Sequence, residues 1–151
     1  MAKSYAPRMH SAEHILNRTM VTLFDCDRSF SAHINKKKSK CDYHFDRDLT
    51  EDEVQELERR INAVIDSGVD VTERMMPRDD AAREFNLTRL PDDAGKTLRI
   101  VDIGEYDACP CIGEHVDNTS EIGAFRMVSH SFEDGVLRLR YKLAAPAEAE
   151  A

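Results

Sequence analysis

The sequence predicts an α+β fold: a mostly antiparallel sheet with two principal helices packed on it, in a single domain. Three observations carry this. Residues 10–24 and 54–65 place apolar side chains at helical spacing. Between and after them lie short β-rich segments bounded by turn chemistry. The clearest strand pair, residues 124–132 and 136–143, is joined through Asp134-Gly135, a dipeptide suited to a tight antiparallel hairpin. A chain of 151 residues is long enough for one buried core and too short for two. No internal repeat interrupts this reading.

In the first helix, Leu16, Met20, Leu23 and Phe24 form an apolar sector, with His10, His14, Asn17 and Val21 along its edge. The two histidines are therefore expected where a core-facing helix meets a cavity. Residues 29–34 and 40–45 read as short strands joined by a lysine-rich turn, with Tyr43 and Phe45 on one face. Thr50-Glu51-Asp52-Glu53 is a capping box that starts the second helix. Val54, Leu57, Ile61, Val64 and Ile65 make its buried stripe, and Gly68 ends it. Residues 69–74 read as a strand, Pro77 opens a short helical stretch over 78–85, and residues 91–95 form a loop. Residues 98–103 are β-rich. Residues 144–151 are Ala, Glu and Pro without an apolar pattern, which predicts a frayed tail and sets the folded domain at residues 1–143.

With 41% hydrophobic and 33% charged residues, the composition is that of a soluble globule. No stretch approaches the ~20 apolar residues of a membrane span. The start, Met-Ala-Lys-Ser, has no apolar signal-peptide core, which points to the cytoplasm. Cys26, Cys41, Cys109 and Cys111 are then expected reduced, serving ligation or packing rather than disulfides. A net charge of −8 does not by itself point to a nucleic acid, because such affinity rests on Lys and Arg neutralising phosphates. The one dense basic run is Lys36-Lys37-Lys38-Ser39-Lys40, which reads equally as a solvated hairpin tip or as a phosphate contact.

The most informative residues are two pairs spaced i, i+4: His10 with His14, and Cys111 with His115. On a helix that spacing puts two side chains on one face, a turn apart. Two imidazoles, a thiolate and a third imidazole are four ligands of the kind zinc prefers, and the mixed N/S set favours zinc over iron or copper. One HxxxH pair alone is commonly a pair of partly buried helix residues, and Cys111 alone packs as a small hydrophobe. The second pair, set in Cys-Pro-Cys-Ile-Gly-Glu-His over residues 109–115, raises the specificity sharply.

Four protein ligands ordinarily mean a closed structural site, so a zinc-stabilised, non-enzymatic binding module is one reading of the set. Another follows from His10-Ser11-Ala12-Glu13-His14, which formally matches the HxxEH zinc-protease pattern with Glu13 as base. That reading leaves Cys111 and His115 unexplained, and Glu13 is then better placed as a solvent-facing helix residue. The zinc-deaminase pattern fails, since no second Cys follows Pro110-Cys111 at three positions on.

At these residues the chain resembles a known family. His10-Ser11-Ala12-Glu13-His14-Ile15-Leu16 is similar to the opening of the editing domain in alanyl- and threonyl-tRNA synthetases. Cys111-Ile112-Gly113-Glu114-His115-Val116, continued by Asn118-Thr119-Ser120-Glu121-Ile122-Gly123-Ala124-Phe125, is similar to that domain's second metal motif. The approach over residues 99–107 resembles the freestanding AlaX-type editing proteins. The resemblance runs from about His10 to Leu143. It implies a stand-alone hydrolase that removes a wrong, small amino acid, serine above all, from a tRNA. The tRNA is that for alanine, or, by the Asn118-Thr119 continuation, that for threonine. It implies one zinc per chain held by His10, His14, Cys111 and His115, with the tRNA acceptor end as partner and neither DNA nor membrane involved.

Other residues take expected roles around that site. His33 lies in the strand where the resemblance places substrate-facing polar groups, against its plainer reading as an exposed strand histidine. Ser29 and Ser31 share a strand face, from which a hydroxyl can meet the aminoacyl group. Asp107 stands near the metal loop and can orient a ligand histidine. The Gly113 region can offer backbone N–H groups to an oxyanion. Lys36, Lys37, Lys38 and Lys40 are the phosphate contacts that a protein gripping only an acceptor end requires. His44 and His130 read as strand residues without a special part, and Asn118 and Thr119 as residues that shape the loop. The chain departs from the synthetase-embedded domains at Cys109, where those carry an acidic residue, and at Glu114, where related motifs carry Thr or Pro. The acidic residue's role does not carry over to Cys109, which is expected to pack.

Overall fold

The computed structural model describes residues 7–85, 87 and 95–144. Residues 91–94 of the expected loop and 145–151 of the expected tail lie outside these. The element order is α1 (Pro7–Phe24), β1 (Ser31–His33), β2 (Ser39–His44), α2 (Glu51–Asp66), β3 (Val71–Pro77), α3 (Arg78–Glu84), β4 (Thr97–Ile103), β5 (Asp107–Pro110), a 3-10 turn (Thr119–Glu121), β6 (Phe125–Glu133) and β7 (Val136–Leu143). The fold is α+β, as the sequence predicts.

The antiparallel strands divide into two sheets: four strands in the order β1-β2-β7-β6, and three in the order β3-β4-β5. The division rests partly on β5, a strand the sequence reading did not anticipate. Its four residues are too few to show a period, and Pro110 argues against a central strand. β5 is an edge strand, paired only to β4 through Ile100↔Pro110 to Ile103↔Asp107, where a missing N–H is tolerated.

Local chemistry accounts for the main elements. The capping box of α2 is formed on both sides: the Glu53 N–H donates to Thr50 Oγ1 at 3.2 Å, and the Thr50 N–H to Glu53 Oε1 at 2.9 Å. The β6–β7 turn places Asp134 at φ 52° and Gly135 at φ 80°, the paired positive values that a tight primed turn demands. The main core joins Leu16 and Met20 of α1, Leu57 and Ile61 of α2, and Cys41, Tyr43, Leu137, Leu139 and Tyr141 of the larger sheet. A smaller cluster of Ala81, Leu98 and Ile100 lies beneath α3.

Buried polar groups fix α1 on the larger sheet. Tyr141 donates to the Met9 carbonyl at 2.9 Å, and Tyr43 to Asn17 Oδ1 at 2.7 Å. The same Asn17 oxygen accepts the Ser29 N–H at 3.1 Å, tying the start of the β1 segment to the helix. α2 is held by a reciprocal pair between the Asn62 amide and the Phe125 backbone, at 3.0 and 2.7 Å.

Candidate metal centre

α1 presents His10 and His14 a turn apart, and the chain leaving β5 supplies Cys111 and His115. One ligand atom from each of the four lies within 4.8 Å of all the others. A tetrahedral ion with bonds of about 2.0–2.3 Å separates its donors by about 3.3–3.8 Å, so a small inward movement of side chains suffices. Cys111 Sγ already stands 3.3 Å from His10 Nε2. The His115 ring is 4.3 Å from that of His10 and 4.4 Å from that of His14, centre to centre.

Two of the histidines have one ring nitrogen held from outside the cluster. His10 Nδ1 donates to the Glu114 carbonyl at 3.2 Å, which leaves Nε2 as the lone-pair nitrogen facing Cys111. His115 Nδ1 meets Ser11 Oγ at 2.9 Å, while His115 Nε2 is buried with no hydrogen-bond partner among the described residues. Burial, with the nearby His10 and Arg99, pushes the pKa of His115 down to about 3. Its imidazole is therefore neutral and able to ligate. His14 Nδ1 lies 3.7 Å from Asp107 Oδ2, an ion-pair separation too long for a hydrogen bond. A buried nitrogen with no other partner and a soft sulfur beside it fit an N/S-ligated ion.

The loop carrying Cys111 is clamped by Arg99 of β4, whose Nη1 donates to the Cys111 carbonyl at 2.9 Å and the Gly113 carbonyl at 2.7 Å. Gly113 is needed for close approach: a Cβ there would meet His10 Cε1 at 2.1 Å. Its N–H donates to Cys111 Sγ at 3.4 Å, so this donor is directed at the sulfur rather than at an open oxyanion position.

Three of the donors, His10, His14 and Cys111, line a cavity of about 1010 Å³. Glu13, Asn17, Arg28, Ser29 and Cys109 also line it. Glu13 is only 4% exposed, which corrects its expected place on the solvent face. Its Oε1 lies 3.6 Å from His10 Nε2, and its Oε2 accepts from the Asn17 amide at 3.4 Å. Asp107 is fully buried and takes a two-pronged Arg28 contact at 2.8 and 3.2 Å with Arg18 at 3.1 Å. Paired in this way, its charge is tolerable away from water. Cys109 stands outside the donor set; its thiol donates to the Pro110 carbonyl at 3.4 Å, and burial pushes its pKa up to about 12.

The remaining expected site residues separate. Ser29 lines the cavity. Ser31 and His33 do not; they pair in register with Asp42 and Lys40, on the face opposite buried Cys41 and Tyr43. Lys36, Lys37 and Lys38 line a second, shallower cavity, and Lys40 is ion-paired to Asp42 at 3.4 Å. His44, given no part by the sequence, lines the first cavity with its ring stacked on Phe30 at 4.0 Å. Glu13 and Arg18 were visible in principle, since they continue the His10/His14/Asn17 helix edge. Arg28 carries no such periodic signal.

Residues 98–140, which contain Cys111 and His115, match the family described as the threonyl and alanyl tRNA synthetase second additional domain. The chain is a relative of that second additional domain. Over 137 residues, 88% of this chain, it is 36% identical to an alanine–tRNA ligase of Methanocella arvoryzae. It is 33% identical over 138 residues, 89% of the chain, to that of Staphylothermus marinus, and 35% identical over 113 residues, 73% of the chain, to that of Aeropyrum pernix. The chain spans only 16%, 15% and 13% of these ligases, so the kinship lies with one domain of each. Among the described residues of this second-additional-domain relative, no helix is long and apolar enough to cross a membrane.

Proposed function

We propose that the chain is a zinc-containing hydrolase that deacylates mischarged tRNA in trans, in the cytoplasm, with serine on the tRNA for alanine as its substrate. The observation that carries this is the meeting of four N/S donors, three of which line one cavity together with a buried carboxylate. The kinship with alanine–tRNA ligases favours the alanine tRNA over the threonine tRNA.

His10, His14, Cys111 and His115 would hold the ion. When bound, zinc supplies a Lewis acid and a fixed anchor for the substrate's polar groups. The protein's own groups do the rest. Glu13 accepts the proton of the attacking water at Oε1, on the cavity wall beside His10. Asn17 positions both Glu13, through its amide, and Ser29, whose N–H it receives. Ser29, on the cavity wall, offers a hydroxyl to the substrate's own hydroxyl. A site that hydrogen-bonds a hydroxyl rejects an analogue lacking it far more strongly than a pocket that only senses a methyl, worth ~1–3 kcal/mol.

A zinc-stabilised binding module is the second reading, favoured by the closeness of all four donors, which suits a closed site. Side-by-side hydrolysis of Ser-tRNA(Ala), Ser-tRNA(Thr) and Ala-tRNA(Ala), with zinc quantified in the same sample, decides. Fast loss of serine from tRNA(Ala) with alanine spared is the expected result. Comparable hydrolysis of Ala-tRNA(Ala) defeats the editing assignment, and no hydrolysis of any of the three leaves the binding module.

A further inference from the structure

The chain carries 29 acidic and 21 basic residues, yet it distributes its cations unevenly. Arg18, Arg28, Arg47, Arg59, Arg60, Arg74, Arg83, Arg99 and Arg138 are all in ion pairs with the chain's own carboxylates. One end of the four-stranded sheet gathers cations outside these pairs. There the β1–β2 turn brings Lys36, Lys37 and Lys38 beside the end of β7, forming with Lys142, Val128, Leu143 and Arg8 a groove of about 540 Å³. Across the strands, Arg126 of β6 is the register partner of Lys142. All five of Lys36, Lys37, Lys38, Arg126 and Lys142 are exposed, and no ion pair or hydrogen bond with a described residue engages their side chains.

Like charges directly opposite on a sheet destabilise it. Arg126 facing Lys142 beside three further lysines is therefore an arrangement whose cost an anionic partner removes. The outer face continues the charge: Arg140 stands opposite both Lys40 and Ser129, and the carboxylate of Asp42 is already taken up by Arg138 at 2.8 Å and Lys40 at 3.4 Å. Val128, 43% exposed within the groove, offers an apolar contact between the charges. The cations are spread along an edge and held on flexible stems, the pattern of a backbone track rather than of a pocket for one small anion.

The groove also adjoins the metal cavity at two points in the chain. Arg8 lines the groove and His10 the cavity, two residues apart on α1; Lys36 lines the groove and Ile34 the cavity. From Ile34 to Lys36 the chain spans no more than about 7 Å, and Arg8 and His10 are about 3 Å apart along the α1 axis. A strand whose terminal ester sits in the cavity thus brings its next phosphates to the lysines.

We propose that this sheet end, built from Lys36, Lys37, Lys38, Arg126 and Lys142, grips the sugar–phosphate backbone of an RNA acceptor arm and feeds its terminus into the metal cavity. The inference rests on the reading of the chain as acting on aminoacyl-tRNA. It goes beyond the lysine turn legible in sequence by making Arg126 and Lys142, on the last two strands, part of the same grip.

The test uses an uncharged acceptor-stem hairpin RNA ending in CCA, titrated by fluorescence anisotropy over a range of salt. Arg126→Glu/Lys142→Glu is compared with Arg59→Glu/Arg60→Glu, an equal change of charge on α2. The first variant is expected to bind ~tenfold or more weakly, with a salt slope flattened by roughly 0.7–0.9 for each phosphate no longer neutralised. The α2 variant is expected to change affinity less than about twofold, the short-range charge effect being screened at physiological salt. Equal weakening in both variants, or no RNA binding by the unaltered chain, overturns the proposal. Because the RNA carries no amino acid, this outcome is independent of whether Ser-tRNA(Ala) is hydrolysed: a chain that hydrolyses it while both variants bind alike keeps its function and loses this surface.

Discussion

Ser11 Oγ lies 2.9 Å from His115 Nδ1 and receives the Val116 N–H at 3.1 Å. The hydroxyl has a second lone pair for Nδ1–H, and accepting it selects the tautomer whose Nε2 is bare. In the proposed zinc site Ser11 would be a positioning residue, acting on the ion through His115. Ser11→Ala should fold and weaken zinc binding by ~10–100-fold, read by competition with a chromogenic chelator. Unaltered affinity would reduce Ser11 to a packing residue.

The four-donor assignment predicts about one zinc per chain by elemental analysis, with most of it lost in His10→Ala and in Cys111→Ala, because three ligands hold the ion poorly. Gly113→Ala should behave like His10→Ala, since its new Cβ would occupy the place of the His10 ring. Cys109→Ser should keep its zinc. A Cys109 variant that empties the site would show that the wrong thiol has been assigned.

The fold was legible where a long period or a local rule governs it. The apolar sector of α1, the box at Thr50 and the Asp134-Gly135 turn are each set by residues a few positions apart, and each forms. β5 was not legible, because its pairing with β4 is a long-range event that four residues cannot announce. The donor set could be read because metal chemistry permits few residue types at few spacings. Its supports could not: Ser11, Arg99 and Arg28 act through bonds to residues 104, 12 and 14, and 79 positions away, invisible to spacing. Glu13 was misplaced because a carboxylate on a helix is ordinarily solvated, whereas here the cavity edge takes in the position just before His14.

Catalysis and mere zinc-stabilised structure part at Glu13. Glu13→Gln preserves shape and the Asn17 contact while removing the base. It should retain zinc and melting temperature yet lose ~10²–10⁴-fold in deacylation rate. His33→Ala, outside the cavity lining, should stay near the unaltered rate. If stability and activity instead fall together in every cavity variant, the ion is structural and the binding-module reading is favoured.

Thr50→Ala supplies a contrast far from the cavity. It removes one half of the capping box and loosens Glu53, whose carboxyl is lowered to about 2 by Arg47 and by Thr50. The cost should be about 1 kcal/mol in urea denaturation, with zinc content and deacylation rate unchanged. A larger loss accompanied by zinc release would mean that α2 and the metal centre unfold as one unit.

Acid should destabilise the metal-free protein through His115. Its ordinary value of 6.5 is lowered to about 3 in the fold. Between those values the unfolded chain binds a proton that the folded chain refuses, so folding stability falls as pH drops through this window. The contribution is fully present above 6.5 and gone below about 3. With zinc bound the same proton must displace the metal, so zinc release should follow acidification over part of the same range. Urea midpoints of chelator-stripped protein from pH 7 to pH 4 are the measurement, with His115→Asn as reference. The variant should show the shallower acid slope. Matching slopes would mean that His115 is protonated as readily in the fold as outside it, contrary to its burial against His10 and Arg99.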